Sequence, residues 1–589
     1  MIFPMLNGES STRDFIEAFG GYNHNLRIGD GEFYDMKNLT SSFYPLLSPR
    51  KHRGLLCETE TVPVGLIEKD ALCYVTVAGG NLHFIMNGKD YDLGITTIGA
   101  DVKRNLTSMG AYVVIMPDKK YINTVDTEDK GNIETTYTSA ETVSFDMCRA
   151  DGTSYEVSMI SPNEPTENIV NGYVWLDTSV TPNILKVYSE TSAMWSAVST
   201  TYIKISATGI GANFNEYDGV KISGITVSSL QDLNNTMVIY AKGDDYIVVV
   251  GVLDDAYHIE QDEHITIERL MPDMDFVIES NNRLWGCRYG LNRDNEVVNE
   301  LYASKLGDFK NWNCFLGTSM DSYYVSLGTD GQFTGAISYL GQPLFFKENC
   351  LHMVYGNYPA EYQVQDTACR GVQKGSEKSI AMVNEVLYYK SRTGICAFNG
   401  SLPAEISANL GEIAYSNAVA CGHKNKYYIS MVEVSTKEHN LFVYDTEKGL
   451  WHKEDNTKID DFCSVNDELY YINGSKNIFT MFGSGKKDET AIDWMAETGT
   501  IGCSAIDKKY ISRLSVRLSM EIGTRVSFLV EYDSSGTWEH ISTLTGANLR
   551  TFTVPIKPKR CDHLRLKIAG KGNAKIYSIA KTLEQGSDI

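Results

Sequence analysis

The chain has no CxxC pair among its twelve cysteines, no excess of basic charge and few helix signals. Each absence excludes something. Scattered cysteines in so long a chain read as buried, reduced thiols rather than a disulfide framework or a zinc site. No apolar run approaches about 18 residues, so no membrane-spanning helix is predicted. The opening MIFPMLNGESSTRDF lacks a basic segment followed by an apolar core, so a secretory signal is not expected and the chain is read as folding in a reducing cytosol. Lys+Arg 53 against Asp+Glu 75 gives a net charge of −22. That balance disfavours broad, nonspecific adhesion to nucleic acid, because a negative wall repels phosphate.

Catalytic signatures are also missing. There is no GxSxG elbow and no HExxH. The segment GSGKK (483–487) lacks the first Gly and the Ser/Thr of a phosphate loop and reads as a solvated linker. His258 and His264 stand six apart in an acidic stretch. One strand face would let them share a metal, but exposed hairpin histidines are the expected arrangement. Adjacent carboxylates (Asp244-Asp245, Asp254-Asp255, Asp460-Asp461) point to opposite faces of a strand and make poor acid/base pairs. YDSSGTWEH (532–540) approaches the Asp-box hairpin of sialidases, but the spacing from Asp533 to Gly536 is one residue too long.

What is present is repetition. Four segments each carry a strand centred on an aromatic pair, a turn and a second strand. The pairs are Phe345-Phe346, Tyr388-Tyr389, Tyr427-Tyr428 and Tyr470-Tyr471, spaced 43, 39 and 43 residues apart. A period of about 40–50 residues with several short strands per unit is the signature of propeller blades. The rings fall where blade cores need bulk. Fourteen prolines, 49 glycines and 35 tyrosines suit short strands joined by tight turns. Earlier segments repeat the idea at shorter spacing: ALCYVTVAGGNLHFIMNGKDYDL has hairpin signals at Gly79-Gly80 and Asn87-Gly88, and AYVVIMPDKKYINT turns at Pro117-Asp118.

The predicted fold is therefore all-β: a β-propeller of about six to eight blades with an inserted β domain and a C-terminal jelly-roll-like β-sandwich. Residues 1–60 are read as an extended segment contributing to the propeller, with a short helix over Arg13–Phe19 capped by Ser11 or Thr12. Residues 61–132 give the first blades, 133–268 the inserted domain, 269–496 the remaining blades and 497–589 the sandwich, whose strands (ISRLSVRLSM, RVSFLVEYD, HLRLKIAG) alternate with period two.

Basic residues cluster at Arg50, Lys51 and Arg53, at Lys508, Lys509 and Arg513, and at Lys557, Lys559, Arg560 and Arg565. Against a −22 background the first and last clusters are candidates for docking an acidic neighbour or a second copy of the chain.

Four extended segments resemble virion proteins of short-tailed bacteriophages, the tail nozzle, tail hub or packaged-DNA stabilisation family. They are NLRIGDGEFYDMKNLTSSFYPLLSPRKHRG, RLWGCRYG with NELYASKLGDFKNW, DTACRGVQKGSEKSIAMVNEVLYYKSRTG, and KPKRCDHLRLKIAGKGNAKIYSIAKTLEQGSDI. The resemblance covers most of the chain, least of all 133–268. It implies a ring of about six copies below the portal and adaptor proteins, conducting and retaining genomic DNA without sequence-specific binding and holding tail fibres or spikes. It implies no catalytic residue and no cofactor, a place in the virion tail, and assembly in the host bacterial cytoplasm. Two expectations accompany it: acidic residues concentrate on the lumen wall, and the sandwich packs on the propeller or a neighbouring subunit through Lys557–Arg565. The alternative is a receptor- or carbohydrate-binding tail protein displaying Trp175, Trp195 or Trp538 to a glycan. Carboxylates converging at the propeller axis are the sign that would point to a hydrolase.

Overall fold

Seven antiparallel sheets follow one another around a closed ring. In a computed structural model, residues 11–253, 257–483, 485–502, 508–546 and 548–585 are described. The blades comprise residues 63–95, 105–132, 276–326, 333–368, 381–405 and 415–455, each a four-stranded meander; the seventh is built from 461–480 completed by the strand Gly54–Glu58. That strand pairs antiparallel with Asn477–Thr480 (Cys57 opposite Ile478), so a segment from near the chain start closes the last blade before the chain enters blade 1.

Seven apolar interfaces hold the ring. The aromatic pairs explain why. Neighbouring residues on a strand point to opposite faces, and both faces of a blade are covered, so each pair feeds two interfaces. Phe345 packs toward blade 3 and Phe346 toward blade 5. Phe346 meets Tyr389 with ring centroids 5.0 Å apart, and Tyr388 meets Tyr427 at 5.4 Å. Tyr428 and Tyr471 share the interface of blades 6 and 7, and Tyr470 turns toward blade 1. The Asn87-Gly88 and Gly79-Gly80 turns adopt positive φ at both residues (51° and 75°; 60° and 88°), the backbone that two-residue hairpins require.

Between blades 2 and 3 the chain makes an excursion into three further sheets around their own core. Its first and last strands, Thr135–Thr138 and Thr266–Arg269, pair with each other, so exit and return run side by side. Glu134 beside this stem accepts from Lys119 (3.1 Å), Arg293 (2.6 Å) and the Met271 amide (3.0 Å). Asn311 of blade 3 bonds Gly219 N and the Tyr217 carbonyl.

The sandwich has one sheet of four strands and one of six. It corrects two expectations. Residues 11–37 belong to the sandwich, as does the strand Asp493–Thr498, which the expected boundary at 496 splits; of the described residues before 60, Gly54–Glu58 is the strand that joins the propeller. And Ser11–Ile16 is a strand, not a helix, paired along Ala574–Gln585 with Ile16 opposite Ile579. The cap signal at Ser11 or Thr12 is worth about 1 kcal/mol, less than the partner strand supplies through a full ladder. Helix is confined, among the described residues, to four short 3₁₀ turns, Glu377–Ser379 among them, and none is long and apolar enough to cross a membrane.

Sandwich and propeller share one continuous core. Tyr22 packs on Phe442 of blade 6 (5.5 Å), and Trp451 lies in the same cluster. Gly21 (φ +81°) approaches so closely that a Cβ would stand 2.5 Å from the Trp451 carbonyl oxygen. This contact runs through residues 21–39 and the outer strand of blade 6, not through Lys557–Arg565, whose Arg565 is paired within the sandwich. Lys487-Asp488 also departs from the expected linker, adding to the outer edge of blade 7 against Leu55 and Gly54; Ser484 lies outside the described residues. The eleven described cysteines are free, and Cys503 lies outside them.

His452, on the outer strand of blade 6, is buried and its Nδ1 has no partner among the described residues. Burial, reinforced by Lys426 and Lys448 against Asp445, pushes its pKa down to about 3. The unfolded imidazole binds its proton near the ordinary value of about 6.5, so this group removes stability as pH falls from there toward 3. We expect the unfolding free energy to fall by up to about 1.4 kcal/mol per pH unit from His452 alone between pH 6 and 4.5, above the carboxylate range. His452→Asn should flatten that slope whatever it does to absolute stability, measured by urea unfolding across pH.

Candidate functional site

Arg50 and Arg53 are drawn inward. Arg53 places Nη2 2.6 Å from Glu454 and Nη1 2.7 Å from both Asp455 and Thr457. Arg50 holds Glu489 through Nη1 at 2.7 Å and Nη2 at 3.2 Å, and donates from Nε to Asn38 at 2.8 Å. Both guanidinium groups are buried. Burial alone works against the Asp455 carboxylate, but Arg53 and the Thr457 hydrogen bonds outweigh it and hold it below its usual range. Glu489 behaves alike, burial being outweighed by Arg50 and the Arg53 amide. These residues tie the closing strand to blade 6 and to the segment leading into the sandwich. As docking candidates they are corrected: both arginines are buried and committed to internal carboxylates, so neither presents a guanidinium to a partner.

The other five candidates are spread apart. Lys51 is exposed, its ammonium 5.5 Å from the Phe482 ring centroid. Lys557 and Arg560 are exposed. Lys559, also exposed, pairs with Glu539 at 2.6 Å and lies over Tyr532. Arg565 is engaged by Glu497 at 2.6 Å and Glu531 at 2.5 Å, and lies near Trp538. Thus the structure joins Arg50 with Arg53, and brings Lys51 beside them on the outer surface. Lys557, Lys559 and Arg560 form a separate exposed edge of the sandwich.

The tryptophans do not make a flat exposed platform. Trp175 is buried and donates to the Ser161 carbonyl at 2.8 Å. Trp195 is met edge-on by Tyr173, Trp175 and Tyr188. Trp538 is covered by Lys567 at 4.1 Å.

Asp460 and Asp461 are paired with lysines rather than with each other. Asp461 meets Lys378 at 3.0 Å and accepts from the Leu66 amide, while Asp460 faces Lys103 and Lys458 at 3.3 and 3.2 Å. The two side chains diverge, as adjacent strand positions must. Asp254-Asp255 lies outside the described residues. His258 is held by Asp146 at 2.5 Å, which with Glu260 raises its pKa against burial. No group of three or more His, Cys, Asp or Glu arranged for a metal occurs among the described residues.

One constellation escaped the sequence. On the outer strands of blade 4, Cys350 Sγ lies 3.6 Å from His352 Nε2, and His352 Nδ1 is 2.5 Å from Asp366. The signal was Cys-x-His on a strand, with Asp366 the cross-strand partner of His352. Thr329 Oγ1 sits closer to Nε2, at 3.1 Å. Burial pushes the thiol up despite Lys347, and pushes the imidazole down despite Asp366. With its Nδ1–H on Asp366, the neutral ring accepts the Thr329 proton, and the thiol stays protonated near neutral pH. A poised thiolate needs the reverse shifts.

No family model matches the chain, and no curated protein matches it. Solved structures align over long stretches with low similarity. An exo-β-1,3-galactanase from Phanerochaete chrysosporium bound to β-1,3-galactotriose is 9% identical over 52% of this chain and 94% of its own, with TM-score 0.20. A putative exported protein from Bacteroides fragilis is 10% identical over 44% and 85%, with TM-score 0.22. The computationally designed Ika8 protein is 11% identical over 72% and 98%, with TM-score 0.21. Likeness at this level carries no argument about the chemistry of this chain.

Arg53→Met removes one side of a buried ion-pair cluster and leaves Glu454 and Asp455 under-compensated. We expect a loss of about 3–5 kcal/mol, read as a shift in the urea unfolding midpoint. Lys557→Ala, at an exposed position, should stay within about 0.5 kcal/mol.

Proposed function

We propose that this chain is a structural protein of a short-tailed bacteriophage tail. In this reading about six copies form a nozzle or hub ring that conducts and retains the genome and anchors tail appendages, docking to portal and adaptor proteins above. The resemblance of four extended segments to that family supports the assignment. The observation that carries the mechanical part is the fusion of sandwich and propeller into one core across Tyr22, Phe442 and Trp451, with buried arginine pairs at the same seam. A subunit that bears the load of packed DNA needs units that do not swing on a linker, and a shared apolar core resists such motion.

Charge supports the conduit role. The chain is strongly acidic, and many cations of the seam and stem are spent on internal carboxylates. A lumen lined by the surplus acid lets DNA pass without gripping it. We read the protein as non-enzymatic: it acts by assembly in the virion, after being made in the host bacterial cytoplasm.

Electron microscopy of the purified protein, alone and with its neighbouring tail proteins, tests this. The expected outcome is a ring of about six copies around an acidic channel. A chain that stays monomeric with every neighbour, or a ring with a basic, phosphate-gripping lumen, overturns it.

A further inference from the structure

Beside the arginine cluster lies a pocket that Arg50 also lines. It has a volume of about 160 Å³ and is lined by Thr40, Ser42, Lys51, His423, Lys424 and Lys426, with Glu454 at one side. Three elements converge on it: the two-residue turn joining the first strands of blade 6 (Tyr415–His423 and Lys426–Glu433), the segment around Thr40–Lys51, and Met481-Phe482 after the third strand of blade 7.

Two buried groups in this pocket lack the partner their chemistry calls for. Lys426 is only 9% exposed, and its Nζ is met by two neutral oxygens, Thr40 Oγ1 at 3.1 Å and Ser42 Oγ at 3.0 Å. No carboxylate lies within ion-pair distance of it among the described residues. The acids that attract it from farther off are already engaged, Asp445 by Ser41 and Lys448 and Glu454 by Arg53. His423 is 4% exposed. Its Nδ1 is 2.8 Å from Ser464 Oγ, which donates when the ring carries its proton on Nε2, and Nε2 has no partner among the described residues.

The remaining charges favour an anion. Glu454 is held by Arg53 at 2.6 Å with Arg50 at 3.8 Å. Lys424 leans on Asp467 at 2.9 Å, a carboxylate exposed at the rim. Lys51 faces the Phe482 ring with no carboxylate in reach among the described residues. Of the two hydroxyl hydrogens on Thr40 and Ser42, one is shared between them at 3.0 Å and the other is left over. A buried ammonium without a counter-ion and a buried ring N–H without an acceptor are both costly arrangements, and one bound oxyanion relieves both.

We propose that this pocket binds a single tetrahedral oxyanion of the phosphate type. The donors approach from His423 and Lys426 on one side and from the Thr40–Lys51 segment on the other. A planar carboxylate presents two oxygens in one plane, whereas phosphate offers oxygens toward every wall. Lys426 and Lys51 serve as point charges, the usual role of lysine against phosphate, and His423 Nε2–H fixes orientation. The inference rests on the pocket alone and stands apart from the tail assignment.

The test is calorimetric titration of the full chain with sodium phosphate at constant ionic strength and pH 7.5, with sodium acetate in parallel. We expect one saturable phosphate site per chain and acetate weaker by about tenfold, the equivalent of about 1.4 kcal/mol. His423→Gln, which keeps an N–H donor, should bind like the parent, and His423→Phe should lose about tenfold. Lys51→Gln with Lys424→Asn, two exposed positions of which the second keeps a residue tolerant of its positive φ (53°), should lose at least as much and remains informative if His423→Phe fails to fold. No saturation into the tens of millimolar, unchanged affinity in the double variant, or acetate binding tighter than phosphate would overturn the proposal.

Discussion

Everything in this molecule depends on closing the ring. Each blade buries both faces against its neighbours, so an open arc would leave two apolar faces in water. Closure is achieved without a covalent link, by one short strand, Gly54–Glu58, completing blade 7. That requirement fixes the route of the chain on either side. Residues before the strand must cross the outer edge of blade 6, where Asn38, Arg50 and Arg53 are caught by Asp493, Glu489, Glu454 and Asp455. Residues after blade 7 leave from the same place, and the two ends then build the sandwich together.

The propeller was legible because its constraint is local and repeated. A strand covered on both faces needs adjacent bulky residues, which blades 4 to 7 supply as aromatic pairs, and turn pairs such as Asn87-Gly88 announce their backbone directly. The sandwich strands from Lys509 on were legible for the same reason, whereas Asp493–Thr498 falls largely on the blade side of the expected boundary. The N-terminal strands were not. Ser11–Ile16 carries a plausible helix cap and only half an alternating pattern, and its partner stands at the far end of the chain. Only long-range pairing decides such a segment, and a single sequence does not display it.

Charge misled in the same way. Arg50, Lys51 and Arg53 look alike as a basic run, yet two of them are structural and one faces solvent. The deciding information is the acidic set Glu454, Asp455 and Glu489 waiting some 400 residues away (402 between Arg53 and Asp455). The aromatic residues considered for glycan contact form no flat shared platform, since the rings pack edge to face around Trp195. Lys426 and His423 carried no signal in the sequence, because an unmet hydrogen bond is a property of packing.

The separation of the closing strand from its partner also sets a clock. During synthesis Arg53 leaves the ribosome 402 residues before Asp455. At about 5–20 residues per second, the strand waits roughly 20–80 s for the surface it must join. Blades 1 to 6 can stack as they emerge, but the ring and the sandwich are sealed only at the end. For that interval the nascent chain carries an unpaired strand and half a β-sandwich, and this is the window in which a chaperone, or a second chain offering the same edge, competes with the chain's own closure.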